Sequence, residues 1–175
     1  MKKVFLAFAK FNEESNKVIA AELGKLDNKE REKNRKSHFG SLSEIFRHNT
    51  GATVYFLSLY KTAVLNNADA IKALEALSKI TMLKGNLTED QWKKAVANSK
   101  IADKALIEFI SALKDRDFEA SVEVNWYKGK PPAAPLWFML QQQVTHNTHH
   151  RGQISQIFDS LKIENDFSGI NIKFL

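Results

Sequence analysis

The chain has no cysteine. That excludes disulfides, thiolate metal ligands and a sulfur nucleophile of its own, and it leaves histidine, aspartate, glutamate and water to hold any metal. Chemistry at sulfur would need a thiol from outside. Proline is almost as scarce: Pro131, Pro132 and Pro135 are the only three, all in one stretch, so helices elsewhere meet few breakers. No run of about 18 apolar residues is present to span a bilayer. The apolar opening from Met1 to Lys10 is too short for a signal peptide and lacks a small-residue cleavage site. A cytoplasmic protein with no membrane partner is expected.

What is present is 175 residues with 43% hydrophobic content, enough for one domain over 1–175 with a real core. The net charge of +6 and a pI near 9.4 favour encounters with anions. Much of the excess lies between Lys25 and Lys36, where acids alternate with bases and no aromatic is available to stack on a base. A solvated helix end or loop is the expectation there, with no specific nucleic-acid partner.

The apolar residues recur at helical rather than strand spacing, the profile of an all-α helix bundle. The first helix is predicted from about Val4 to Leu23, carrying Phe5, Phe8, Val18, Ile19 and Leu23. The second is predicted from about Leu42 to Leu65 behind the capping-box form Ser41-Leu42-Ser43-Glu44. A shorter helix follows from Asn66 to Ile80. A third long helix opens at a second capping box, Thr88-Glu89-Asp90-Gln91, and runs to about Lys114. Phe118 to Tyr127 partly alternates and precedes a Gly129-Lys130-Pro131-Pro132 turn, which suggests an extended segment. The last helix should start at Pro135 and reach Leu161.

The chemistry-bearing residues are histidines. His146 and His150 are four apart on the last helix, so both imidazoles can aim at one ion, and His48 on the second helix can supply a third ligand. At 100° per residue, Met139, Gln143, His150, Gln153 and Ile157 fall within roughly 60° of His146, so the pair shares the buried stripe. Ile45, Ala52, Tyr55 and Phe56 lie at compatible offsets from His48. A lone helical histidine is ordinarily a hydrogen-bonded core or rim residue, but three inward imidazoles are costly unless something satisfies them. Spacing alone leaves His149 as an alternative to His150.

The stretch Leu136-Trp137-Phe138-Met139-Leu140 leading to His146-Asn147-Thr148-His149-His150-Arg151-Gly152-Gln153, together with Ser41 ahead of the His48 helix and Gly129 before an extended turn, resembles the DinB/YfiT-like family. The resemblance is to metal-binding bundles, not to the DNA polymerase that shares the name. It implies a four-helix bundle with a short extra helix and a short extended segment before the last helix. It also implies a frequent homodimer, and a divalent ion held by residues matching His48, His146 and His150. Many members carry a further histidine where this chain has Gln142, which puts a proton-shuttling role there in doubt.

Three neutral imidazoles on an ion such as Zn²⁺ or Ni²⁺ leave an open position for water or a low-molecular-weight thiol cosubstrate. Two functions follow as expectations. One is a metal-dependent transferase that uses such a thiol on a small-molecule electrophile, with metal-assisted hydrolysis as its close variant. The other is a non-enzymatic, dimeric, stress-related bundle that holds a metal or apolar ligand, with Tyr55, Phe56, Trp137 and Phe138 as pocket candidates. Glu44, one turn before His48, is a candidate general base that competes with its own capping role. Gln142 and Gln153 are expected beside the ligands. Gly152 is expected to admit a close helix approach, and Arg151 to hold a carboxylate or to lie on the surface.

Overall fold

A computed structural model of the chain describes residues 1–124 and 133–174. Four long helices form the frame: α1 (Lys2–Lys25), α3 (Leu42–Ala63), α5 (Glu89–Ala112) and α6 (Leu136–Ser160). Two short helices, α2 (Asn28–Arg31) and α4 (Ala68–Leu74), sit in the connections, and a 3-10 turn, Glu75–Lys79, follows α4. Helix α1 packs along α5 and α3 along α6, and the cross-pairs α3–α5 and α1–α6 close the bundle.

The helix starts follow their side-chain chemistry. Thr88 Oγ1 accepts from the Gln91 amide at 3.3 Å and Gln91 Oε1 accepts from the Thr88 amide at 2.9 Å, the reciprocal capping box expected for α5. At α3 only half of the box forms. Ser41 Oγ accepts from the Glu44 amide at 3.1 Å, but the Ser41 amide already donates to the Phe39 carbonyl at 2.8 Å, so Glu44 has no donor to cap. Asn66–Ile80 is not one helix: Asn67 caps α4 by accepting from the Ala70 amide, and the turn after Leu74 tightens to 3-10.

Two apolar clusters fill the bundle. One gathers Leu57, Tyr60, Phe109, Phe118 and Leu136; the other gathers Ile19, Leu23, Ile45, Trp92 and Phe158, all 5% exposed or less. Each such side chain contributes about 1.5–3 kcal/mol by leaving water. Val18, one of the apolar positions of the first helix, is exposed, because the α1 face packed on α5 instead carries Asn12, Ser15, Asn16 and Ile19.

The extended segment appears as β1 (Ser121–Glu123), paired antiparallel with β2 (Ala133–Pro135) in the register Val122 to Ala134. The Leu136 amide donates to the Ala120 carbonyl at 2.9 Å, so this small sheet sets the entry of α6. Pro135 sits one position outside the helix, as its N-cap. The predicted 129–132 turn, and Asn125 to Tyr127 of the expected extended segment, lie outside the described residues.

The charged segment is only partly solvated. Arg31 is fully buried: it donates to the Leu23 and Leu26 carbonyls at 3.1 and 2.8 Å, pairs with Glu89 at 2.5 Å, and stacks over Trp92. It closes the C-terminal end of α1 onto α5, which hydropathy alone does not reveal.

Candidate metal centre

Helix α6 presents two adjacent stripes to the bundle. Met139, Gln143, His146 and His150 face α3, as the 100° projection requires, and Asn147 and Arg151 turn towards α1. Because α3 lies against α6, His48 meets the pair from across the helix interface.

His48 Nε2 and His150 Nε2 each lie 3.2 Å from His146 Nε2, and the three ligand atoms fall within 4.8 Å of one another. They could hold one metal ion. Among the described residues no carboxylate joins this group. His149 is exposed and outside it, so of the two histidines that spacing left open the group includes His150.

Supporting contacts orient the rings. His150 Nδ1 lies 2.8 Å from Gln153 Oε1, an acceptor only, so the ring proton sits on Nδ1 and the Nε2 lone pair is free for a cation. Phe39 stacks on His48 with centroids 4.1 Å apart and meets His150 edge-on at 5.2 Å. Phe56 meets His146 edge-on at 6.0 Å. Burial in this aromatic cage, and secondly the neighbouring imidazoles, push His48 and His146 down to about 4; burial also lowers His150. All three are therefore neutral near pH 7, the state in which imidazole ligates. Three neutral imidazoles with their Nε2 atoms turned toward one another, one of them with its ring proton committed to Gln153, are a donor set that could hold a cation at their centre.

The centre opens on a cleft of about 630 Å³ whose wall includes His48 and His146. Its floor is apolar, with Gly51, Ala52, Phe56 and Met82, and Tyr55 and Gln142 also line it. Glu44 is the one carboxylate among its described lining residues. Trp137 and Phe138, expected as pocket residues, are instead exposed near the start of α6 and do not line it. Met82 and Lys84, which do line it, carried no sequence signal, because the irregular segment 80–88 reaches the site only through the fold, and Arg47, beside His48 on α3, was not singled out.

Two neighbouring expectations change. Gly152 is exposed, and a Cβ there would meet nothing within 4 Å, so it admits no close helix approach. Arg151 is buried at 3% exposure; it donates to Asn12 Oδ1 at 2.8 Å and to Thr148 Oγ1 at 3.0 Å, and lies over the Phe11 ring. No helix among the described residues is long and apolar enough to cross a membrane.

Compared with known proteins, the DinB family model matches residues 1–161. No curated protein and no solved structure matches the chain.

Proposed function

Since the chain belongs to the DinB family and its three-histidine group faces a substrate-sized cleft, we propose that it is a divalent-metal-dependent transferase, with Zn²⁺ or Ni²⁺ as the ion, that joins a low-molecular-weight thiol to a small electrophile. His48, His146 and His150 are the ligands. When bound, the ion supplies an open, Lewis-acidic position at which a thiol or water gives up its proton near neutral pH. The chain supplies the rest. Gln153 holds the His150 tautomer, Phe39 and Phe56 exclude water from the rings, and the apolar cleft orients the electrophile. In the reaction the S–H bond breaks, a C–S bond forms, and the leaving group departs with its electron pair. The absence of cysteine keeps the chain itself from competing as a nucleophile.

The observation that carries this reading is the opening of the centre onto a cleft. A purely structural ion, as in a non-enzymatic stress-related bundle, would be closed off by a fourth protein ligand. Metal-assisted hydrolysis is the variant favoured by Glu44, exposed on the cleft and relieved of its capping duty, where it can serve as a base for water. We further propose a cytoplasmic homodimer.

Elemental analysis of untagged protein tests the ligand set. Near-stoichiometric metal is expected in the parent and in His149→Ala, with at least about a hundredfold weaker binding in His48→Ala, His146→Ala and His150→Ala, more than a second-shell substitution costs. Metal retained in those three variants would overturn the site. Loss of thiol across a panel of electrophiles tests the reaction, and no consumption by the loaded protein would remove the transferase reading.

A further inference from the structure

The wall of the cleft facing α3 is the irregular segment 80–88, and the bundle holds it by its carbonyls. Arg47, one residue before His48, is 9% exposed; its Nη1 donates to the Leu83 carbonyl at 2.6 Å and its Nη2 to the Gly85 carbonyl at 2.8 Å. These two carbonyls bracket Lys84. Gly85 adopts φ +69°, the left-handed turn that any other residue would resist. From α5, Asn98 Nδ2 donates to the Thr81 carbonyl at 2.9 Å. The backbone under Lys84 is thus pinned at the cleft, and the ammonium has no hydrogen bond or ion pair among the described residues.

The charges of the cleft do not cancel. Glu44 lies in the first turn of α3, where the positive end of the helix dipole offsets a carboxylate. Lys84 has no such compensation, and among the described residues no carboxylate pairs with the Arg47 guanidinium, whose burial leaves its field poorly screened. Beside these charges lies an apolar floor: Met82 covers Gly51 so closely that a Cβ there would come within 2.8 Å of its methyl group. A positive rim above an apolar floor selects an amphipathic anion.

We propose that the cleft takes a small organic anion, an apolar body ending in a carboxylate, with Lys84 contacting the carboxylate and Arg47 positioning Lys84. This rests on reading the cleft as the substrate side of the histidine centre, and it adds the substrate's chemical class.

The test compares three probes with one phenyl body, namely phenylacetate, 2-phenylethanol and phenethylamine, titrated by NMR into full-length metal-free protein and into zinc-loaded protein. Phenylacetate is expected to bind about fivefold more tightly than the alcohol, the scale of one exposed charge pair, with shifts at Lys84, Gly85 and His48. Lys84→Glu should abolish that preference. Lys94→Glu, an equal charge change on the exposed face of α5, should preserve it. Arg47→Lys keeps the charge but reaches only one carbonyl, so the ratio of acid to alcohol affinity should fall although the net charge is unchanged. An intact ratio would overturn the positioning role. Equal binding of all three probes, tighter binding of the amine, no binding, or an unaltered preference in Lys84→Glu would each overturn the proposal. The preference persisting in protein that binds no zinc would sink the metal reading alone; zinc bound by the histidines without the preference would sink this one alone.

Discussion

Two polar clusters meet on α6, one residue apart, and they are built on opposite principles. On the α1 side, the Asp103 carboxylate of α5 accepts from Asn12 Nδ2 at 2.9 Å, from Asn16 Nδ2 at 3.0 Å and from Ser99 Oγ at 3.3 Å, while Asn12 Oδ1 in turn receives Arg151. On the α3 side, three imidazole Nε2 atoms face one another, and Gln153 commits only the far nitrogen of one ring. In the first cluster the amides, the hydroxyl and one guanidinium nitrogen each meet an acceptor, and Arg151 Nε is left without one among the described residues. The second is three neutral rings in mutual contact, with donor and acceptor roles that depend on their tautomers, and it could hold a cation. The contrast separates a polar group that a carboxylate and its donors satisfy from one that could take a cation.

The largest expected difference is in stability. Asp103→Ala would strand the amides of Asn12 and Asn16 and the buried Arg151 charge, and should cost about 3 kcal/mol in chemical denaturation, while metal content in the folded fraction stays unchanged. In the metal-free protein His146→Ala should cost about 1 kcal/mol or less, because the ring is neutral and only part-buried, so its loss strands no charge. Equal losses in the two variants would erase the distinction between the clusters.

An intermediate effect tests whether the open cluster has internal support. Gln153→Leu removes the acceptor that holds the His150 Nδ1 proton, and should weaken metal binding about tenfold to a hundredfold while moving stability by less than about 1 kcal/mol. Unchanged affinity, measured by competition with a chelator, would show that the ring is oriented by packing against Phe39 alone.

The two clusters also differ in how far the sequence announced them. The histidine group was legible because ligand geometry maps onto helical spacing: His146 and His150 share a face, and the family motif around Arg151-Gly152-Gln153 selected His150 over His149. The helices were legible for a similar reason, since capping residues such as Thr88 act locally. The Asp103 cluster was not. Asn12, Asn16, Ser99 and Asp103 look like ordinary surface positions on amphipathic helices, and only the packing of α1 on α5 buries them. Arg31 and Arg47 escaped for the same reason: long cations are normally solvated, and here backbone carbonyls hold them, those at the end of α1 for Arg31 and those of the irregular segment 80–88 for Arg47. Gly152 was misread because a helical glycine suggests a close approach, whereas its side of α6 faces open space.

The pH dependence of stability separates the clusters once more, because they pull in opposite directions. In the metal-free fold, burial holds His48 and His146 down to about 4, against 6.5 for the free side chain. Between those values the unfolded chain binds protons that the folded chain refuses, so their contribution is full above pH 6.5 and is lost as pH falls towards 4. Asp103 is pushed by burial up to about 6 from 3.8, so the folded chain takes its proton first; its contribution is full below 3.8 and is lost as pH rises through 6. Across pH 4 to 6.5 the two slopes oppose each other, two histidines against one carboxylate, so the parent protein should lose stability on acidification. Asp103→Asn removes the opposing slope, so its stability should fall more steeply with acid. Exchanging His48, His146 and His150 for glutamine should reverse the trend relative to the parent. The other carboxylates titrate alike in all three proteins, so the differences among urea midpoints taken at pH 6.5, 5.5 and 4.5 isolate the two clusters. A parent and an Asp103→Asn variant with parallel profiles would mean that the Asp103 carboxylate is ionised throughout this range, held by its amide donors and Arg151 against the cost of burial.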